Sequence, residues 1–360
     1  MPNHSARQFW LRSKRRLLGL KGVVERYKFR PLSDEFYEKL WGEAALAVGA
    51  QLQPRPGGLT QITRAGLTTF VDRSQVMLVS PLALRIMFDK ELTYELMAAK
   101  GYRIPKRCSF DLSTLDRAED FMQKHDGPVV VKPAAGTGGG QGIATGIETK
   151  TGLRLASRNA ATYFQSHLLV EEQLTGASFR LLYLDGDFID AVRRDSPIVV
   201  GDGKSTIRQL VDSENRRRKF ERPISALSPL VINQDSRNTL AGQGKSPGSV
   251  PGAGEAVRVK LAVNENAARQ NHIVRDQVHE EIVRTGSRLV RELGLAIAGI
   301  DVTTDDISAP ITESDPIFNE INVYPGIHHH YLVANPEISA GVAPLILERL
   351  FSTRQGVIEL

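Results

Sequence analysis

Two stretches of this 360-residue chain carry residue types that do chemistry on phosphate and carboxyl groups. The first runs Val129-Val130-Val131-Lys132-Pro133-Ala134-Ala135-Gly136-Thr137-Gly138-Gly139-Gly140-Gln141-Gly142-Ile143. A β-forming run delivers a lysine, and a loop nearly free of side chains then lets backbone N–H groups approach an anion closely. The plain alternative is a flexible linker, yet a linker rarely joins two strongly β-forming runs with a lysine at its mouth. In the second stretch, Asp301 lies inside the apolar run Leu295–Val302, and Glu320 and Asn322 follow on a second strand-like run. Glu320 and Asn322 leave the same face of a strand, because side chains alternate with a period of two. A carboxylate placed like Asp301 is costly unless something pairs with it. If the two runs pair as neighbours, these residues converge as hard oxygen ligands suited to Mg²⁺. The competing reading, a solvated sheet face with ordinary acids, fits Asp305 and Asp306 in the turn between them.

Other phosphate and metal signatures fail on spacing. From Gly136 or Gly138 the sixth place of a dinucleotide fingerprint is Gln141 or Ile143, not glycine. Gly203-Lys204-Ser205 ends like a Walker A loop, but Ile198 stands where its first glycine belongs. His328-His329-His330 invites a zinc reading. Adjacent residues on an extended segment point to opposite faces, no further Cys or His completes four ligands, and at least one of the three is expected to be exposed.

These candidates need elements to hold them. Asp89 to Lys100 predicts a helix stopped by Gly101, and Ile104-Pro105 opens an extended segment. Strands are expected at Pro128–Lys132, His167–Glu171 and Phe179–Leu184. Residues 201–219 lead into a charged helix whose end, Arg216 to Lys219, reads as solvated. Residues 241–255, rich in Gly, Pro and Ser, form an ordered loop or a mobile flap. Asp276 to Leu295 has the clearest helical period, and strands follow at Ala296–Thr303 and Ile317–Val323. Interleaved strands and helices predict an α/β or α+β fold. Residues 1–30 form a basic extension, 31–86 a short N-terminal α/β domain, and 87–360 the main domain, with a smaller lobe at about 104–175.

Charge narrows the function. The chain carries +5 overall, but residues 1–30 alone carry +8 and the remaining 330 carry −3. A protein built to coat nucleic acid is therefore disfavoured. One cysteine, Cys108, forms no internal disulfide and suits a reducing, cytoplasmic setting. No apolar run has the length of a membrane span, and Lys21 and Glu25 interrupt the one run that resembles a leader.

Taken in order, the motifs resemble the ATP-grasp superfamily, and most of all the ATP-grasp region of cyanophycin synthetases and bifunctional glutathione synthetases. The likeness rests on Asp89 to Thr93, Val131-Lys132-Pro133 with its glycine loop, Val170-Glu171-Glu172, Phe179-Arg180 and Val199 to Ile207. It continues through Val250-Pro251, Gly254-Glu255, Asp276 to His279, Ala298 to Asp301, Asn319 to Asn322 and Pro325-Gly326. It spans about residues 87–335.

The resemblance implies two α+β lobes gripping ATP. Lys90 and Lys132 would bind its phosphates under a lid from Gly136 to Gly142 (Gly136, Thr137, Gly138, Gly139, Gly140, Gln141, Gly142). Glu171, Glu172, Gln173 and Leu174 would form the hinge against adenine. Ser178 stands where many relatives carry an acid for the ribose. Asp301, Glu320 and Asn322 would hold Mg²⁺, as two ions. Arg180, Arg194 and Lys260 fall where relatives place basic groups near substrate and transferred phosphate, and Asn264, Pro325 and Gly326 line the acceptor side. Ala268-Arg269 replaces a glycine pair usual after the Asn264 position. The implied reaction is ATP- and Mg²⁺-dependent joining of a carboxylate to an amine through an acyl phosphate, on amino acids or a small peptide. The alternatives are a ligase modifying a protein or peptide tail, and a non-catalytic nucleotide-binding regulator. Homodimer formation is a family expectation. The large additional ligase domains of the two resembled families are expected to have no counterpart within these 360 residues.

Overall fold

The chain is arranged around a five-stranded antiparallel sheet, seen in a computed structural model that describes residues 25–135, 140–162 and 167–360. Its spatial order is Asn271–Ile273, Asp187–Arg194, Ala177–Leu184, Ile297–Thr304 and Ile317–Asn322. Strand alternation gives this sheet two unlike faces. Phe179, Leu181 and Tyr183, with Ile300 and Val302 beside them, pack under the helix Glu280–Glu292 through Ile282, Leu289 and Val290. On the opposite face, Leu182, Leu184 and Ile297 are covered by the helices Arg30–Ala47 and Val342–Thr353. That second face turns polar at its other end, at Ser178, Arg180, Asp301 and Glu320.

The smaller lobe is a four-stranded sheet, ordered Arg107–Phe110, Leu168–Glu172, Val129–Pro133, Ala144–Ile147. Val129, Val131, Leu168 and Val170 face its helices, which contribute Ala118, Leu153 and Ala156 to one core. Lys132 and Glu171 alternate to the other side.

A third small core gathers Val199, Ile207, Val211, Leu240, Val257 and Val259. Here the glycine- and proline-rich segment is an ordered loop: Ile207 N donates to Ser249 O at 2.9 Å and Gly254 N to Gly201 O at 2.9 Å. The helix Ile207–Phe220 starts in a capping box between Thr206 and Gln209. Its basic end is not uniformly solvated as the charge run suggested. Arg218 is fully buried, because its guanidinium binds Glu214 and the carbonyls of Ser228 and Glu265.

The N-terminal unit is a sheet of Gln51–Pro54, Thr60–Arg64 and Leu67–Asp72 that is extended by the last strand of the chain, Ile358–Glu359. The end of the long 87–360 segment thus joins the N-terminal sheet. The helix expected from Asp276 begins later, at Glu280, because His279 takes the capping position and accepts from Glu281 N.

Candidate active site

Three charged residues stand side by side across three adjacent strands. Arg180 is the register partner of Asp301, and Asp301 is the register partner of Glu320. Arg180 Nη2 donates to Asp301 Oδ2 at 2.9 Å, its Nε donates to the other carboxylate oxygen, and its Nη1 reaches Pro325 O at 2.8 Å. A second buried arginine, Arg194, lies 3.8 Å from Asp301 Oδ2 and donates to Val263 O. Glycine at 299 makes the arrangement possible: a Cβ there would lie 2.8 Å from both Arg180 Cδ and Pro325 Cβ. Burial works against the Arg180 charge, but Asp301 outweighs it and its pKa rises. Arg194 is pulled down to about 10 by burial and then by Arg180, so it stays charged at neutral pH. Glu320 sits below the usual carboxylate range; burial opposes this, but Lys90, Lys132 and Arg180 prevail.

Two buried lysines face this row, Lys132 from the smaller lobe and Lys90 from a helix packed on the large sheet. Lys132 Nζ is 2.6 Å from Glu171 Oε2 and 2.9 Å from the Tyr94 hydroxyl, which itself donates to Asn319 O at 2.8 Å. Lys90 Nζ is 3.3 Å from Glu320 Oε1. The helix Lys90–Ala99, capped by Asp89, is pinned to the mouth of the glycine loop: Lys90 N donates to Ala134 O at 2.9 Å, and Asp89 bridges to Ala135. The Lys90–Glu320 ion pair therefore ties this helix to the carboxylate row.

The other expected residues are distributed as follows. Gly136, Thr137, Gly138 and Gly139 lie outside the described residues. Gly140, at φ +67°, approaches Asn264 so closely that a Cβ would fall 2.0 Å from its Nδ2, so the far end of the glycine loop rests on the segment following Lys260. Gln141 and Gly142 continue the loop, with Gly142 over Pro133. In the hinge, Glu172 N and Gln173 N already donate to Lys106 O and Pro128 O, and Glu171 Oε1 is buried without a partner. Leu174 and Ser178 are half-buried, and Ser178 pairs in register with Arg194. Lys260 is fully buried, with its ammonium 2.7 Å from Glu265 Oε2. Pro325 accepts from Arg180, and Gly326 takes a φ of +61° that turns the chain toward the histidines.

The histidine triple differs from its expectation. It forms one turn of 3-10 helix, Ile327–His330, rather than an extended segment, and none of the three is exposed. His330 is fully buried against Asp190 at 2.8 Å, and His328 Nδ1 is 2.8 Å from the Tyr37 hydroxyl. Among the described residues no group of three or more His, Cys, Asp or Glu is placed to hold a metal. Gly203-Lys204-Ser205 is a turn on Asp202, whose carboxylate accepts from Lys204 N and Ser205 N.

Tyr94, Tyr37 and Glu265 were not singled out from the sequence. Tyr94 was within reach, since it stands one helical turn after Lys90 and shares its face. Tyr37 acts over a long chain separation that no local pattern marks, and Glu265, five residues from Lys260, also binds Arg26 and Val231 N far along the chain.

As a donor set, Asp301, Glu320 and Asn322 offer two carboxylates and an amide oxygen, which fits a hard divalent cation. Glu320 and Gly299–Asn322 pairing bring them onto one face, and Glu320 retains a third of its side-chain exposure, at 34%.

Residues 89–179 match the family described as carbamoyl-phosphate synthase L chain, ATP binding domain. The cyanophycin synthetase of Trichormus variabilis is 29% identical over 277 residues, covering 76% of this chain and 30% of that protein. The glutathione biosynthesis bifunctional protein of Clostridium perfringens is 26% identical over 256 residues, covering 68% of this chain and 32% of that protein. This chain thus matches about a third of the length of these relatives. The crystal structure of a bifunctional glutathione synthetase from Pasteurella multocida shares the fold, with a TM-score of 0.52 and 18% identity over 87% of this chain and 43% of that one. The lobes, the lysine-bearing strand and these relatives agree, and the chain resembles the ATP-grasp superfamily.

Proposed function

We propose that this chain is an ATP- and Mg²⁺-dependent ligase that joins a carboxylate to an amine, on amino acids or a small peptide, in the cytoplasm. The observation that carries the reading is the Arg180–Asp301–Glu320 row bridged to Lys90, with Lys132 beside it. The chemistry asks for such a cluster. A carboxylate acylates poorly because its leaving group would be oxide. If a carboxylate oxygen attacks the γ-phosphorus of ATP, the bond to ADP breaks and an acyl phosphate forms. The amine nitrogen then attacks the acyl carbon, phosphate leaves, and the nitrogen loses a proton. Positioning and charge neutralisation dominate such a transfer.

Lys90 and Lys132 are buried, fixed cations that would take phosphate oxygens in place of Glu320 and Glu171. Asp301, Glu320 and Asn322 would hold Mg²⁺, which when bound supplies further neutralisation of the phosphate oxygens. The unpartnered Glu171 Oε1 in the hinge suits an amino group of a purine. Arg194, which keeps an unpartnered Nε, and Arg180 would steady the acceptor carboxylate. Asn264, touched by the glycine loop, would sense lid closure, which keeps water from the acyl phosphate. The test is phosphate release from ATP with pooled amino acids. Release that depends on an amine and a carboxylate together, and is lost in Glu320→Ala, supports the reading; no release with any pair refutes it.

A further inference from the structure

The strand Ala144–Ile147 follows the glycine loop and is the outer strand of the smaller lobe. Its ends pair in register with Val131 and Val129, and between them a bulge leaves Thr145 and Gly146 without register partners. Both bulged residues are bound from outside the sheet. Gly146 N donates to Gln173 Oε1 at 2.6 Å. The Thr145 N–H donates to Asp235 Oδ1 at 3.2 Å, its hydroxyl donates to the same oxygen, and its carbonyl accepts from Asn238 Nδ2 at 2.7 Å. Asp235 and Asn238 are neighbours one turn apart on the helix Gln234–Gly242, which contributes Leu240 to the third small core.

Asp235 also reaches in a second direction. Its Oδ2 accepts from Ala262 N at 3.3 Å, and Thr239, one turn further on, accepts from Leu261 N at 3.2 Å. Those two amides belong to the segment from Lys260 to Asn264, against which Gly140 is packed. One carboxylate thus holds the strand behind the glycine loop with one oxygen and the 260–264 segment with the other. Asp235 is 1% exposed, and its partners among the described residues are backbone N–H groups and a hydroxyl, none of them a cation. A buried carboxylate is costly, and one whose bonds go to two separate chain segments is placed to hold them together. An asparagine there could serve only one of them, because its amide has a single acceptor oxygen.

We propose that Asp235 is a positioning residue: it ties Thr145 to Ala262, so that the end of the glycine loop and the 260–264 segment move as one body. The tie rests on the hydrogen bonds alone; its use rests on the ligase reading, in which the loop binds ATP and Asn264 lines the acceptor side. Nucleotide and acceptor then take their places together rather than independently.

The test is amide hydrogen exchange read by NMR on the full chain. In wild type the Thr145 and Ala262 amides should exchange through one opening, with equal free energy and equal urea dependence. In Asp235→Asn one of the two should exchange about tenfold faster than the other, because a single acceptor oxygen is left. Asn238→Ala keeps both oxygens of Asp235 and should keep the two amides together. Unequal opening in wild type, or equal opening retained in Asp235→Asn, overturns the tie. MgADP should slow exchange at residues 141–143 and at 261–262 together in wild type, and at 141–143 alone in Asp235→Asn. Slowing confined to 141–143 in wild type overturns the positioning role. Slowing at neither stretch refutes the nucleotide site, while the amide comparison in the free chain still decides the tie. With pooled amino acids, Asp235→Asn should raise the KM for ATP about tenfold with kcat nearly unchanged. A lower melting temperature with an unchanged KM would reduce Asp235 to a structural role.

Discussion

Arg180 and Asp301 face each other in register on adjacent strands, and the arginine engages both oxygens of the carboxylate. Arg180 is buried and Asp301 is 13% exposed, so each charge depends on the other. Removing one partner of a buried pair costs about 3–5 kcal/mol, and Asp301→Ala should therefore lower stability by that order as well as abolish turnover. Asp301→Asn keeps the shape and one acceptor; it should recover most of the stability and little of the activity. Urea unfolding beside phosphate release separates the two effects.

Lys132 and Glu171 make the same argument on the nucleotide side. Their side chains are 7% and 4% exposed. Lys132→Met leaves Glu171 without its cation and should destabilise the lobe, whereas Lys132→Met with Glu171→Gln should restore the melting temperature. Neither variant should bind ATP within about tenfold of wild type, because one lost charged phosphate contact amounts to about 1.5–3 kcal/mol. Calorimetric titration with MgATP reads this directly.

Gly140 is conformationally and sterically constrained at once. Its φ of +67° disfavours any other L-residue, and a Cβ would meet Asn264 Nδ2 at 2.0 Å. Gly140→Ala should raise the KM for ATP by keeping the loop off the 260–264 segment. Adding Asn264→Ala removes the clash but not the backbone penalty, so rescue should be partial.

Glu214 predicts a pH signature away from the active site. Burial raises its pKa, but hydrogen bonds from Arg217 and Arg218 prevail and bring it from 4.5 to about 2. A folded pKa below the unfolded one stabilises the fold above the unfolded value, and that contribution disappears as pH falls from about 4.5 toward 2. The shift corresponds to at most about 3 kcal/mol. Glu214→Gln should flatten the stability–pH curve across that window, as denaturant titrations at successive pH values would show.

The site was legible in the sequence where chemistry and period coincide. Glu320 and Asn322 share a face because strands alternate, and Asp301 stood out as an acid in an apolar run; the structure places the two strands as neighbours. Arg218 was misjudged because a run of four basic residues looks solvated, while its partners, Glu214 on its own helix and the carbonyls of Ser228 and Glu265, are set by tertiary packing. The histidines were misjudged for a local reason: Gly326 at positive φ starts a 3-10 turn where an extended segment was expected. Tyr37 and His328 are 291 positions apart, and nothing in either neighbourhood announces the other.

In the proposed reaction the γ-phosphoryl group passes to a carboxylate oxygen beside the Arg180–Asp301–Glu320 row. Transfer of label from an ¹⁸O-carboxylate substrate reads that step out, with released phosphate analysed by mass spectrometry. An acyl-phosphate route carries one carboxylate oxygen into each phosphate released, so one ¹⁸O per turnover is expected, with ADP as the other product. Unlabelled phosphate, or AMP and pyrophosphate in place of ADP, would contradict it.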